Sequence, residues 1–368
     1  MSDRDTAVVA AAMSAMEKYT GVVPGYRRAH AHGHGFVGYF EATEAVAGMT
    51  VAEHLQGERI AVVVRLSNGA GSPYAADLQS PHRGATLGLG IEFALPSGGR
   101  ATWGAPNMTA FPASTPEEFV EVTTAQRPNA RGRRNLLRLL AFVLRHRRAL
   151  PGLRSLISHP PIRSFAAADF HGLHAYHLID ADGRRQAFRY RWISTMTGER
   201  NLTAEEAALW PPQYLVEEMR QRVARGRVSW ELSLQLAADG DPTHDQALAW
   251  PASRPTIHAG TLTLTAEHPD QGVVEGMVFD PTNVPAGIEC SDDPLLAFRS
   301  AVYSASYAAR TSETTPVSDL IDSRRHDVRA QRPERVGDGV DVGGRHAEPG
   351  QRRGEMGDDT VERGSGDP

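Results

Sequence analysis

Eight runs of this chain are rich in β-branched residues or alternate apolar and polar side chains, and they limit its fold more than any other feature. They cover residues 35–42, 59–66, 87–94, 173–180, 185–193, 228–236, 258–266 and 272–279. Alternation is plainest in Leu173-His-Ala-Tyr-His-Leu-Ile and in Trp230-Glu-Leu-Ser-Leu-Gln-Leu. Side chains two residues apart share one face of a strand, so this pattern buries one face and wets the other. Turn signals such as Asp182-Gly183 join such strands as hairpins. The expected architecture is α+β: an antiparallel β-barrel of about eight strands with helices packed outside it, not a doubly wound sheet. Apolar residues at helical spacing predict helices over 6–19, 116–125, 133–148 and 204–224.

Composition sets the remaining bounds. A chain of 368 residues, 40% hydrophobic and 23% charged, can bury a sizeable core, and residues 1–322 read as one domain. Residues 323–368 are rich in Arg, Asp, Gly and Pro with little aromatic or β-branched content, so they are expected to be a disordered tail. Cys290 is the single cysteine, which excludes an internal disulfide and fits a reducing compartment. The N-terminus lacks the basic start and continuous apolar run of a signal peptide. No stretch reaches the ~20 apolar residues of a membrane span. A soluble cytoplasmic protein with no membrane partner is expected. A net charge of −5 gives no reason to expect nucleic acid.

The chemistry is concentrated near the end of the ordered-looking region. In the run from Arg299 through Tyr303 to Arg310, spacings of four and seven put all three side chains on one helical stripe. A phenol ordinarily titrates near ~10, so a tyrosine acting as an anionic ligand needs a fixed cation beside it, and Arg299 stands one turn away. Upstream, Phe279, Pro281, Asn283, Gly287, Ile288 and Ser291 precede that stripe in fixed order. Together these resemble the haem-binding end of a catalase, which reads roughly F-N-P-x-N-x-x-P-G-I before R-L-F-S-Y. The chain departs from that pattern at Ala301, Val302 and Ala305.

Two further stretches carry the resemblance. Arg27, His30 and then Gly38-Tyr39-Phe40-Glu41 are similar to the family's R-x-x-H-A-K-G and G-Y-F-E, with His32 where catalases have lysine. The run Val64-Arg65-Leu66-Ser67-Asn68-Gly69-Ala70-Gly71 resembles V-R-F-S-T-x-A-G. Weaker similarity continues through 170–184 and 250–262. The resemblance implies haem b as cofactor and Tyr303 as the proximal ligand to its iron, with Arg299 supplying charge. It implies His30 as the distal proton carrier, oriented by Ser67, and Arg27, Arg65 and Arg310 as partners of the propionates. Asn107 aligns with a distal asparagine in G-N-N-T-P, although Ala110 replaces the proline; a plain turn asparagine is the competing reading.

Among catalases the chain is short, and it most resembles the small catalase-related peroxidases. That implies reduction of organic hydroperoxides and hydrogen peroxide with a small-molecule reductant, weak catalase activity, and a state compatible with a homo-oligomer. The alternatives are a catalase proper, a fatty-acid hydroperoxide isomerase like the allene oxide synthases, or a haem-binding barrel without activity. The alternation of His30, His32 and His34 could also serve a metal directly if the segment were extended. No glutamate follows where a cupin-type site would want one.

Overall fold

The structure is a computed structural model that describes residues 3–129 and 135–313. The tail expected to be disordered from 323 lies outside the described residues. The first half carries β1 (Gly33–Ala42), β2 (Arg59–Asn68), β3 (Leu78–Ser80), β4 (Arg83–Gly84), β5 (Leu87–Ala94) and β6 (Arg100–Pro106). The second carries β7 (Phe170–His171), β8 (Tyr176–Ile179), β9 (Arg185–Ser194), β10 (Val228–Leu236), β11 (Thr256–Glu267) and β12 (Ile288–Cys290). The helices are α1 (Asp3–Thr20), α2 (Glu44–Ala47), α3 (Pro116–Gln126), α4 (Leu136–Arg145), α5 (Leu150–Ile157), α6 (Ala204–Leu209), α7 (Leu215–Arg225), α8 (Gln271–Gly276) and α9 (Pro294–Ser312).

One antiparallel sheet runs β12-β8-β9-β10-β11-β1-β2-β5-β6, with β7 paired to β9 and the short β3–β4 pair separate. It curls on itself. Trp103 of β6 stacks on Tyr190 of β9 with ring centroids 4.4 Å apart, although those strands stand far apart in the order. The Tyr190 hydroxyl donates to the Gly104 carbonyl at 2.8 Å. Among the described residues no ladder joins β6 to β12, so packing across the interior, rather than a hydrogen-bonded seam, completes the barrel. Phe40, Phe93, Trp103 and Trp192 fill it. At Gly38 a bulge in the β1–β11 ladder brings the Thr263 carbonyl where a Cβ would sit, 1.9 Å away, so only glycine fits.

A second core lies in a helical layer. Val9 and Ala12 of α1, Val122 of α3, Phe142 of α4, and Leu295, Phe298 and Val302 of α9 pack together. This fixes the rotation of α9, because with one arc committed to that layer the stripe of Arg299, Tyr303 and Arg310 is turned elsewhere.

Three expectations change. Residues 272–279 are not a strand: Asp270 accepts from the Val273 amide and nucleates α8 instead. The helix expected over 204–224 is two, because Pro211 and Pro212 cannot continue α6 and the chain restarts at α7. The expected strand over 173–180 shortens to β8, with β7 just ahead of it. The unforeseen β6 follows β5 through a tight turn at Gly98, whose φ is +86°. Of the helix expected over 133–148, the described residues form α4, which ends at Arg145, and then a separate 3-10 turn at Arg147–Ala149.

Candidate functional site

The Asn68, Ser67 and Arg65 end of β2 lies beside β1 and β5, and the segment before β1 folds over it. His30 is the only described non-glycine residue with positive φ, at 57°. Such a backbone costs of order 1–3 kcal/mol and needs firm anchoring. Here the His30 carbonyl accepts from Arg65 Nη1 at 2.8 Å, and its amide donates to the Gly69 carbonyl at 3.4 Å. Its Nδ1 lies 3.0 Å from Ser67 Oγ. Gly88 of β5 makes room for the ring, since a Cβ there would fall 2.5 Å from Cε1. Burial, followed by the positive charges of Arg65, Arg299 and Arg27, pushes His30 down to about 4. The imidazole is therefore neutral at ordinary pH, and with Nδ1 engaged, Nε2 is the nitrogen left to exchange a proton.

Asn107 follows β6 directly. Its Oδ1 accepts from the Leu87 amide at 2.9 Å and its own amide donates to the Leu87 carbonyl at 3.1 Å, next to the Gly88 that underlies His30. The residue clamps β5 to the chain beyond β6 while its Nδ2 makes no hydrogen bond among the described residues. The turn reading and the site reading are thus compatible.

Three arginines expected from separate parts of the sequence converge on α8. Arg27 pairs with the Glu275 carboxylate and donates to the Met277 carbonyl at 2.7 Å. Arg65 Nε donates to Glu275 Oε1 at 2.9 Å, and Arg310 Nη1 donates to the Glu275 carbonyl at 2.8 Å. Burial, then the neighbouring Arg65 charge, lowers Arg27 to about 9, and burial lowers Arg65 and Arg310 as well. Two of these cations therefore share the Glu275 carboxylate while the third, Arg310, reaches only the backbone carbonyl of that residue. This is a cluster with capacity for further anionic oxygens.

On α9, Tyr303 and Arg299 sit one turn apart, both half-buried. Among the described residues neither the phenol nor the guanidinium has a hydrogen-bond partner; Arg299 lies over the Phe111 ring at 4.9 Å. The Arg299 charge also reaches His174, Tyr176 and Tyr190. His174 and Asp293 were missed in the sequence. His174 Nδ1 lies 2.8 Å from Asp293 Oδ2, both buried, while its Nε2 is buried without a partner. The other Asp293 oxygen accepts from the Leu295 amide at 2.9 Å and caps α9. An Asp-Pro pair ahead of a leucine-rich run is a helix-start signal that could have exposed Asp293. His174 lies within the stretch 170–184, whose weaker resemblance gave it no role.

These donors fit a haem. A phenol and a guanidinium without partners lie on the helix stripe that ends at Arg310, inside the arginine cluster. The charge of Arg299 reaches the neutral, Ser67-held His30 on the sheet side. With Glu275 the one carboxylate-bearing residue that Arg27, Arg65 and Arg310 meet among the described residues, the cluster is short of the groups that propionates supply. The shared metal face weighed for His30, His32 and His34 does not form: β1 begins only at Gly33, His30 is not extended, and His34 Nε2 turns to Glu267 at 2.6 Å.

Comparison with known proteins agrees with this geometry. The model of the catalase family matches residues 14–320. A catalase-related peroxidase of Mycolicibacterium paratuberculosis is 37% identical over 306 residues, covering 82% of this chain and 94% of that protein. One from Synechococcus elongatus is 33% identical, covering 81% of this chain and 87% of the relative. Against the catalase of Sus scrofa, identity is 28%, and the match covers 74% of this chain but 54% of that one. Among solved structures, catalase A from Saccharomyces cerevisiae superposes with a TM-score of 0.68 at 22% identity, over 78% of this chain and 62% of that chain.

Proposed function

The chain belongs to the catalase family, and from that premise we propose that it is a haem b peroxidase that reduces organic hydroperoxides and hydrogen peroxide at the expense of a small-molecule reductant. Haem supplies the redox-active iron at which a peroxide O–O bond is cleaved and through which electrons return from the reductant. The balance is one hydroperoxide, two electrons and two protons giving one alcohol and one water. The observation that carries the reading is the placement of a neutral, Ser67-held His30 within reach of the Arg299 charge, with Tyr303 one turn further on.

His30 Nε2 takes the hydroperoxide proton and returns it to the departing oxygen, which then leaves as alcohol or water rather than as an alkoxide. Ser67 holds the ring through Nδ1, and the Asn107 amide is a spare donor for a substrate oxygen. Tyr303 is the ligand to iron, and Arg299 supplies the positive charge that an anionic phenolate needs beside it. His174, fixed by Asp293, lies within reach of the Arg299 charge. Arg27, Arg65 and Arg310 bind the propionates, with Glu275 yielding part of its share. Near-complete coverage of the two peroxidases, against about half of the pig catalase, favours the peroxidase over the dismutase reading.

The test compares His30→Ala with His32→Ala. His30→Ala should keep haem and lose peroxide-dependent dye oxidation by ~10²–10⁴-fold, the usual size of acid–base assistance. His32→Ala should stay within a few-fold of wild type. Equal losses in both variants would overturn the assignment of His30.

A further inference from the structure

Helix α4 carries more apolar surface than the core takes up. At about 100° per residue, Leu139, Phe142 and Val143 fall on one arc, which is packed in the helical layer. The adjoining arc holds Leu136, Leu137, Leu140 and Leu144, which remain 72%, 79%, 55% and 63% exposed. Arg138 and Arg145 occupy a third arc. Single exposed leucines are ordinary, but four on one face of a short helix are not.

Charge is concentrated in the same place. Between residues 122 and 168 the chain has ten arginines and no aspartate or glutamate, in a molecule of net charge −5. Arg145 pairs with Glu121, and Arg148 lies 3.8 Å from Asp245. Exposed Arg138, Arg147 and Arg154 meet no carboxylate among the described residues.

We infer that α4 docks on an anionic lipid surface, with its leucines in the boundary between headgroups and acyl chains and the flanking arginines on lipid phosphates. Such a partner uses both features at once. A nucleic acid would occupy the arginines and leave the leucines wet. Two copies pairing through this face would bring two arginine sets together. No described helix is long and apolar enough to cross a membrane, so the contact is peripheral. This docking does not rest on the peroxidase reading.

The experiment is co-sedimentation of the full chain with vesicles of phosphatidylcholine alone, or of phosphatidylcholine with phosphatidylglycerol. Wild type should pellet with the phosphatidylglycerol vesicles, remain in solution with phosphatidylcholine alone, and release as salt is raised. The double variant Leu137→Glu, Leu140→Glu should partition at least about tenfold more weakly, and Arg138→Gln about fivefold more weakly. Circular dichroism and sedimentation velocity on the same samples report fold and association state. Wild type left in the supernatant with phosphatidylglycerol vesicles, or unchanged partition of a folded double variant, would overturn the proposal. So would a wild-type dimer without vesicle binding that the leucine changes dissociate, which would make the face an interface between copies.

Discussion

At the scale of single residues, the site depends on close fits that a short side chain would disturb. Gly88 is the clearest case, because an added Cβ meets the His30 ring at 2.5 Å and Ser67 Oγ at 3.1 Å. The ring is the movable partner, so Gly88→Ala should fold normally and bind haem while peroxide turnover falls, by about tenfold or more if the shift spoils the proton path. Unchanged turnover with a full complement of haem would contradict the placement of His30. Some of this was legible in the sequence. His30, Ser67 and Tyr303 stand in runs whose order and spacing match a known family. The meeting of Arg27, Arg65 and Arg310 around Glu275 joins residues up to 283 positions apart in the chain, and no local pattern encodes it.

At the scale of elements, α9 is the piece that carries the proposed proximal ligand, Tyr303. Asp293 caps it and also fixes His174, so Asp293→Ala removes a cap and leaves a buried imidazole nitrogen without its partner. The two losses together should lower stability by on the order of 2–4 kcal/mol, read as the shift in a denaturation midpoint. Asp293→Asn keeps a capping oxygen and should lose less. Equal losses would mean that the charge toward His174, rather than the cap, is what matters. The long strands were readable because one wet face and one buried face force period two. By contrast, β6 was not, since Gly104 and Pro106 interrupt its pattern, and α8 was misread because Val273 and Val274 suggest a strand while Asp270 starts a helix.

At the scale of the whole molecule, several histidines are buried neutral and make the fold acid-sensitive. Burial holds His54 down to about 3, and His171 and His174 at about 4, with burial again the largest cause. A histidine whose folded value lies below the ordinary ~6.5 binds its proton more readily when unfolded. Stability should thus be full above about pH 6.5 and fall as pH drops from there toward 4, by up to about 1.4 kcal/mol per pH unit for each such group. Denaturant titrations at stepped pH would read that slope, and a flat profile would contradict the burial. The central claim is that Tyr303 is the proximal ligand of a haem in this barrel. Its most direct test is the absorption spectrum of the purified ferric protein beside that of Tyr303→Phe. The wild type should show a tyrosinate-ligated high-spin ferric haem, and the variant should lose the haem or that signature; identical spectra, or a histidine-ligated haem in both, would contradict it.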